Sequence, residues 1–151
     1  MKFVISGVNL GDMRTALLEK ASEMAEQFKS GEMKSSKLRV YYNEVITICE
    51  KLARNGSDEE ALNKFYLLKA KVNYDKNRKV DNKQLVPEEF ARFIEEAVDK
   101  ISAVEDAGDR LNAVRRFKLF FEAVVGFFKE ENKKANKGRS RYNRDGSNKR
   151  W

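Results

Sequence analysis

The chain has no histidine, one cysteine and one proline in 151 residues. Without histidine there is no imidazole base, no usual zinc ligand and no Ser-His or Cys-His nucleophile pair. Cys49 has no internal disulfide partner, so a reducing, cytoplasmic setting is expected, and its place on an apolar helix face suits a small buried hydrophobe. No stretch approaches the roughly 18 apolar residues of a membrane span. The opening Met-Lys-Phe-Val-Ile breaks at Ser6 and Gly7, too early for the apolar region of a signal peptide. Carboxylate-only chemistry remains, but most acidic residues have a Lys or Arg close by, as Glu19 and Glu23 do around Lys20 and Glu96 and Asp99 before Lys100. That spacing belongs to a solvated helix face. Lys137-Gly138-Arg139-Ser140 lacks the glycine spacing and the preceding strand of a phosphate loop. No catalytic residue, metal site or cofactor is therefore expected.

What is present is helical periodicity, with no sustained Val/Ile/Thr alternation. It predicts an all-α fold, a compact bundle of about five helices. A first helix from about Asp12, its N-cap, to Lys29 carries Met13, Ala16, Leu17, Met24 and Phe28 on one face and ends at Ser30-Gly31. A second starts at Ser35/Ser36, carries Leu38, Tyr41, Val45, Ile48 and Leu52, and stops at a left-handed Asn55-Gly56. The third opens on a Ser57-x-x-Glu60 capping box. Apolar residues lie all round it, so it is expected at the centre. Residues 75–86 read as a loop before Pro87 at the first position of a fourth helix, with Phe90, Phe93, Ile94, Ala97, Val98 and Ile101 facing the core. A fifth, about Asp109 to Glu131, has an apolar arc broad enough for a buried bundle helix. A partner-facing edge at Phe120 and Phe127 is the other reading. The expected organisation is a short N-terminal segment (1–11), the helical domain (12–132) and a basic, disordered tail (133–151).

Charge concentrates in that tail. From Lys133 to Trp151 eight basic residues face one acidic residue, which accounts for the whole net charge of +7 and leaves 23 of each sign in residues 1–132. Within the body Lys37 and Arg39 begin the second helix, Lys71, Arg78 and Lys79 surround Tyr74 at the end of the third, and Arg115 and Arg116 precede the phenylalanines of the fifth. Basic residues near helix C-termini also complement the dipole. Combined with Arg139, Arg141 and Arg144 in the tail, these groups make phosphate contact the leading explanation. A short turn at residues 55–57 should make the second and third helices antiparallel, bringing Arg39 to the end that carries Lys71 and Arg78. Tyr74 reads as a core tyrosine, with base stacking as the alternative.

Three stretches carry a resemblance: Ser36-Lys37-Leu38-Arg39-Val40-Tyr41-Tyr42-Asn43-Glu44-Val45, Leu67-Leu68-Lys69-Ala70-Lys71-Val72-Asn73-Tyr74-Asp75-Lys76-Asn77-Arg78 and Phe120-Phe121-Glu122-Ala123-Val124-Val125-Gly126-Phe127-Phe128-Lys129. In order and spacing the chain resembles, over roughly residues 35–130, the small α-helical subunit of the type III-A CRISPR effector, the Csm complex. The resemblance implies a non-catalytic bundle in several copies along the crRNA-bearing filament, beside the repeated backbone subunit. It implies crRNA and target RNA, other effector subunits and further copies of itself as partners, with no membrane. Arg39, Lys71 and Arg78 are the RNA-contacting positions it carries over. Charge alone also allows a free-standing helical nucleic-acid binder acting mainly through the tail, whose removal would then abolish binding.

Overall fold

Five helices occupy most of the chain between residues 13 and 127 in the computed structural model, which describes residues 2–128. The expected disordered tail lies outside the described residues. Helix α1 (residues 13–30) is capped as expected, Asp12 Oδ1 accepting from the Thr15 N–H at 3.3 Å. Its second turn, Ala16–Lys20, is π-helical, and the Ala21 N–H donates to the Ala16 carbonyl. That wider turn keeps Ala16 and Ala21 on the face that buries Met24, Ala25 and Phe28. Gly31 ends α1 with an ordinary φ of −81°. Its missing side chain serves packing instead, because a Cβ there would lie 2.5 Å from Pro87 Cβ.

Helix α2 (Ser35–Arg54) buries Leu38, Tyr41, Val45, Ile48, Cys49 and Leu52, and Lys34 rather than Ser35 or Ser36 holds the N-cap position. The expected left-handed stop is absent. Asn55 is extended (φ −149°), and the turn closes through Asp58 N–H to Asn55 O (3.0 Å) and Ser57 N–H to Asn55 Oδ1 (3.1 Å). Helix α3 (Glu59–Asn77) is capped by Asp58, not Ser57, with Oδ1 3.1 Å from Ala61 N. It is not the central helix. It packs on α2 and on α4 (Glu88–Ser102), burying only Ala61, Leu62, Phe65, Leu68, Val72 and Asp75, while Leu67 is 64% exposed and Ala70 faces water.

The centre belongs to α4 and to α5 (Ala107–Phe127), which packs against α1 and α2. Pro87 sits at the N-cap of α4, one residue before its expected place. Phe93 stands within 5.1 Å of Phe117, 5.4 Å of Phe121 and 5.7 Å of Phe28 between ring centroids, tilted or edge-on as ring quadrupoles favour. Phe120 is fully buried, which removes it from any partner-facing edge; Phe127 is 49% exposed.

Two short hairpins complete the described residues. Strands β1 (Val4–Ile5) and β2 (Val8–Asn9) pair antiparallel across Ser6 and Gly7, both at positive φ (50° and 81°). Phe3, Ile5, Val8 and Leu10 enter the common core, so a brief alternation exists where none was expected. The Arg116 guanidinium donates to the Leu10 carbonyl at 2.9 Å, and the Ser6 N–H donates to Glu96 Oε1 at 2.6 Å. The region read as a loop from residue 75 continues α3 to Asn77 and then forms exposed strands β3 (Lys79–Val80) and β4 (Lys83–Gln84). Asp81 and Asn82, at φ 55° and 67°, supply the positive-φ pair that a two-residue hairpin turn requires.

Candidate nucleic-acid interface

The α2–α3 hairpin is antiparallel, and a small polar network fixes the start of α2 against the end of α3. Asp75 is 4% exposed, accepts from the Tyr41 hydroxyl at 2.6 Å and lies 3.3 Å from Lys37 Nζ. One turn further along, Lys71 Nζ sits 3.0 Å from Glu44 Oε2 and 5.1 Å from the Tyr41 ring centroid. A buried carboxylate is tolerated only with such partners. Burial, and then the hydrogen bond to Asp75, push the Tyr41 hydroxyl far above the ordinary tyrosine range.

At this end the expected site residues divide. Lys37 and Lys71 are half-buried and already paired with carboxylates. Arg78, at the C-cap of α3, and Lys79, in β3, are exposed and make no ion pair among the described residues. Arg39 is also exposed and unpaired, but lies two residues beyond Lys37. At about 100° per residue it points to the far side of α2 from α3. The fold therefore gathers Lys37, Lys71, Arg78 and Lys79, and sets Arg39 at the same end around the tip of α2.

The fifth-helix cations lie elsewhere. Arg115 is exposed beside Lys118 in a shallow groove between α2 and α5, whose wall includes Cys49. Burial raises the Cys49 thiol pKa against the opposing pull of Lys118 and Arg115, so it remains an unreactive thiol. Arg116 is half-buried and ties α5 to the N-terminal hairpin through the Leu10 carbonyl. Arg139, Arg141 and Arg144 are outside the described residues.

Tyr74 departs from its sequence expectation. Tyr74 is 61% exposed, not core, with the Arg78 guanidinium 6.0 Å from its ring centroid. Its spacing held the signal. At about 100° per residue Tyr74 stands some 200° from Val72, off the buried stripe and in line with Leu67, Lys71 and Arg78. Between that line and α2 runs a groove of ≈ 410 Å³ whose walls include Asn43, Thr47, Ile48, Lys64 and Leu67.

Among the described residues no helix is long and apolar enough to cross a membrane, and no three His, Cys, Asp or Glu side chains converge as a metal site would need. A family model described as Csm2 Type III-A matches residues 12–134. The chain belongs to that family. Membership makes it a small subunit of the type III-A Csm complex of CRISPR defence, in a family of structural subunits. The match takes in all five helices and begins just after the N-terminal hairpin. Comparison with curated proteins and with solved structures returned no match.

Proposed function

We propose that the chain is the non-catalytic RNA-binding small subunit of its cytoplasmic complex, lining the channel for crRNA and target RNA and packing against the repeated backbone subunit. The observation that supports this is the distribution of ion pairs on a body of zero formal charge. Lys37, Lys69, Lys71, Lys76 and Lys83 each meet a carboxylate within 4 Å, on Asp75, Asp99, Glu44, Glu95 and Glu32 respectively. Arg39, Arg78 and Lys79 meet none among the described residues. Unpaired cations occur elsewhere on the body too, as at Arg54, Lys64 and Arg115, but Lys34, Arg39, Arg78 and Lys79 all lie at one end of the α2–α3 hairpin, where their charge favours phosphate. Lys71 sits among them, and exchange of Glu44 for a phosphate would keep its charge paired.

The test is the triple reversal Arg39→Glu, Lys71→Glu and Arg78→Glu in a chain ending at Asn132, reconstituted with the other subunits. Helicity should be unchanged, because none of the three is buried, and target RNA binding by the complex should weaken by about tenfold or more. Wild-type RNA affinity together with wild-type incorporation into the complex would overturn the assignment.

A further inference from the structure

Resting on the RNA-binding reading, we propose that Tyr74 is a base-stacking platform: its exposed ring takes the face of one unpaired nucleobase while Arg78 and Lys79 hold the adjoining phosphates. Several observations converge on this side chain. The ring is 61% exposed, and its hydroxyl makes no hydrogen bond among the described residues, so neither packing nor polar anchoring accounts for a tyrosine here. Arg78 lies four residues on, with its guanidinium 6.0 Å from the ring centroid, and Lys71 lies three residues back on the same face. A rise of about 1.5 Å per residue sets their Cα atoms roughly 10 Å apart along the axis with Tyr74 between them, although the Lys71 ammonium itself turns to Glu44 and the Tyr41 ring.

An aromatic face bracketed by cations is the pattern by which single strands are held without regard to sequence. Every base offers a π-face, and the neighbouring charges track the backbone. Arg78 and Lys79 are the unpaired members of this group, while Lys71 is engaged by Glu44. A protein helix is the competing occupant. It would need a continuous seam of large apolar side chains, whereas on this face only Ala70 and Leu67 precede Tyr74, with Lys71 and Arg78 beside them. The charge interruptions favour the nucleic acid.

The experiment uses the full-length chain and an unstructured, labelled RNA of about 12 nucleotides, within the range of single-strand site sizes. A second RNA of the same length carries abasic ribose at its central positions. Tyr74→Ala should weaken binding of the base-bearing RNA by about 5- to 100-fold, the usual cost of losing one stacked base, and leave its salt dependence unchanged. Tyr74→Phe and Tyr74→Trp should bind as the wild type does. On the abasic RNA, wild type and Tyr74→Ala should be indistinguishable.

Equal affinity of Tyr74→Ala and wild type for the base-bearing RNA overturns the platform. If the Arg39/Lys71/Arg78 reversal still weakens binding, the broader reading survives that result. If neither change matters, or the wild type holds no such RNA at low salt, both fail. A Tyr74→Phe chain as weak as Tyr74→Ala would replace stacking with a hydroxyl contact. Loss of incorporation into the complex with RNA binding intact would make the ring a protein contact. Either outcome overturns the proposal.

Discussion

Asp75 is the charged side chain buried among the described residues, and its two partners have different weight. Lys37 brings charge at 3.3 Å; Tyr41 brings a short hydrogen bond at 2.6 Å from within the core, its own ring edge-on to Phe90 at 5.0 Å. Tyr41→Phe keeps the ring and leaves the buried carboxylate one donor short, at a cost of about 1–3 kcal/mol near neutral pH. The pH dependence of that cost follows from Tyr41 itself. Its pKa in the fold is raised above the ordinary value of about 10, so the native protein keeps a proton that the unfolded chain loses. The contribution is therefore fully present below pH of about 10 and declines as pH rises beyond it. Urea unfolding of wild type and Tyr41→Phe should show a constant difference from about pH 7 to pH 9, narrowing above about pH 10. Asp75, Lys37, Lys71 and Glu44 surround this ring in both proteins, so the difference isolates the hydroxyl. A gap that stayed constant or widened at high pH would contradict the assigned bond.

At the scale of elements, the N-terminal hairpin is small but integral to the core. The family match begins at residue 12, yet Phe3, Ile5, Val8 and Leu10 lie with α4 and α5 in the common core, and Arg116 and Glu96 bond the hairpin backbone. Each fully buried apolar side chain of this size is worth about 1.5–3 kcal/mol. Four of them rival the roughly 5–15 kcal/mol total stability of a domain, even after allowance for residual burial in the unfolded chain. A chain starting at Gly11 should lose its cooperative thermal transition or melt far lower by circular dichroism. A midpoint within a few degrees of wild type would make the hairpin peripheral. Two-residue strands are too short for any period to register in the sequence, whereas α4 and α5 are legible through long 3.6-residue patterns. The position of α3 is hard to read for the opposite reason. Leu67 and Ala70 are apolar but exposed, and composition around a helix does not say which neighbours are present. The site was legible in the same uneven way. The antiparallel α2–α3 pairing followed from the turn length, but the partners of Lys37, Lys71 and Arg116 come from other elements and depend on the fold. The exposure of Tyr74 is legible only in its spacing from Val72, which sets it off the buried stripe.

For the whole molecule, the division of charge decides how RNA affinity should respond to salt. The body is formally neutral, and the unpaired cations at the α2–α3 end include Arg39, Arg78 and Lys79, whereas residues 133–151 carry eight basic side chains against Asp145. Each phosphate contact on single-stranded RNA contributes a slope of about −0.7 to the dependence of log affinity on log salt. Three contacts from the body give a slope of about −2, and engagement of six of the eight tail cations would add about −4. The full chain should therefore show a slope near −6, and deletion after Asn132 should flatten it to about −2 without erasing binding. The Tyr74 platform should survive that deletion, because stacking contributes to affinity but releases no counterions. Its effect would then appear as a vertical offset between wild type and Tyr74→Ala at every salt concentration, with parallel lines. An unchanged slope after truncation would mean that the tail's charge makes no phosphate contact, whereas total loss of binding would assign the affinity to the tail and leave the α2–α3 edge with no RNA to hold.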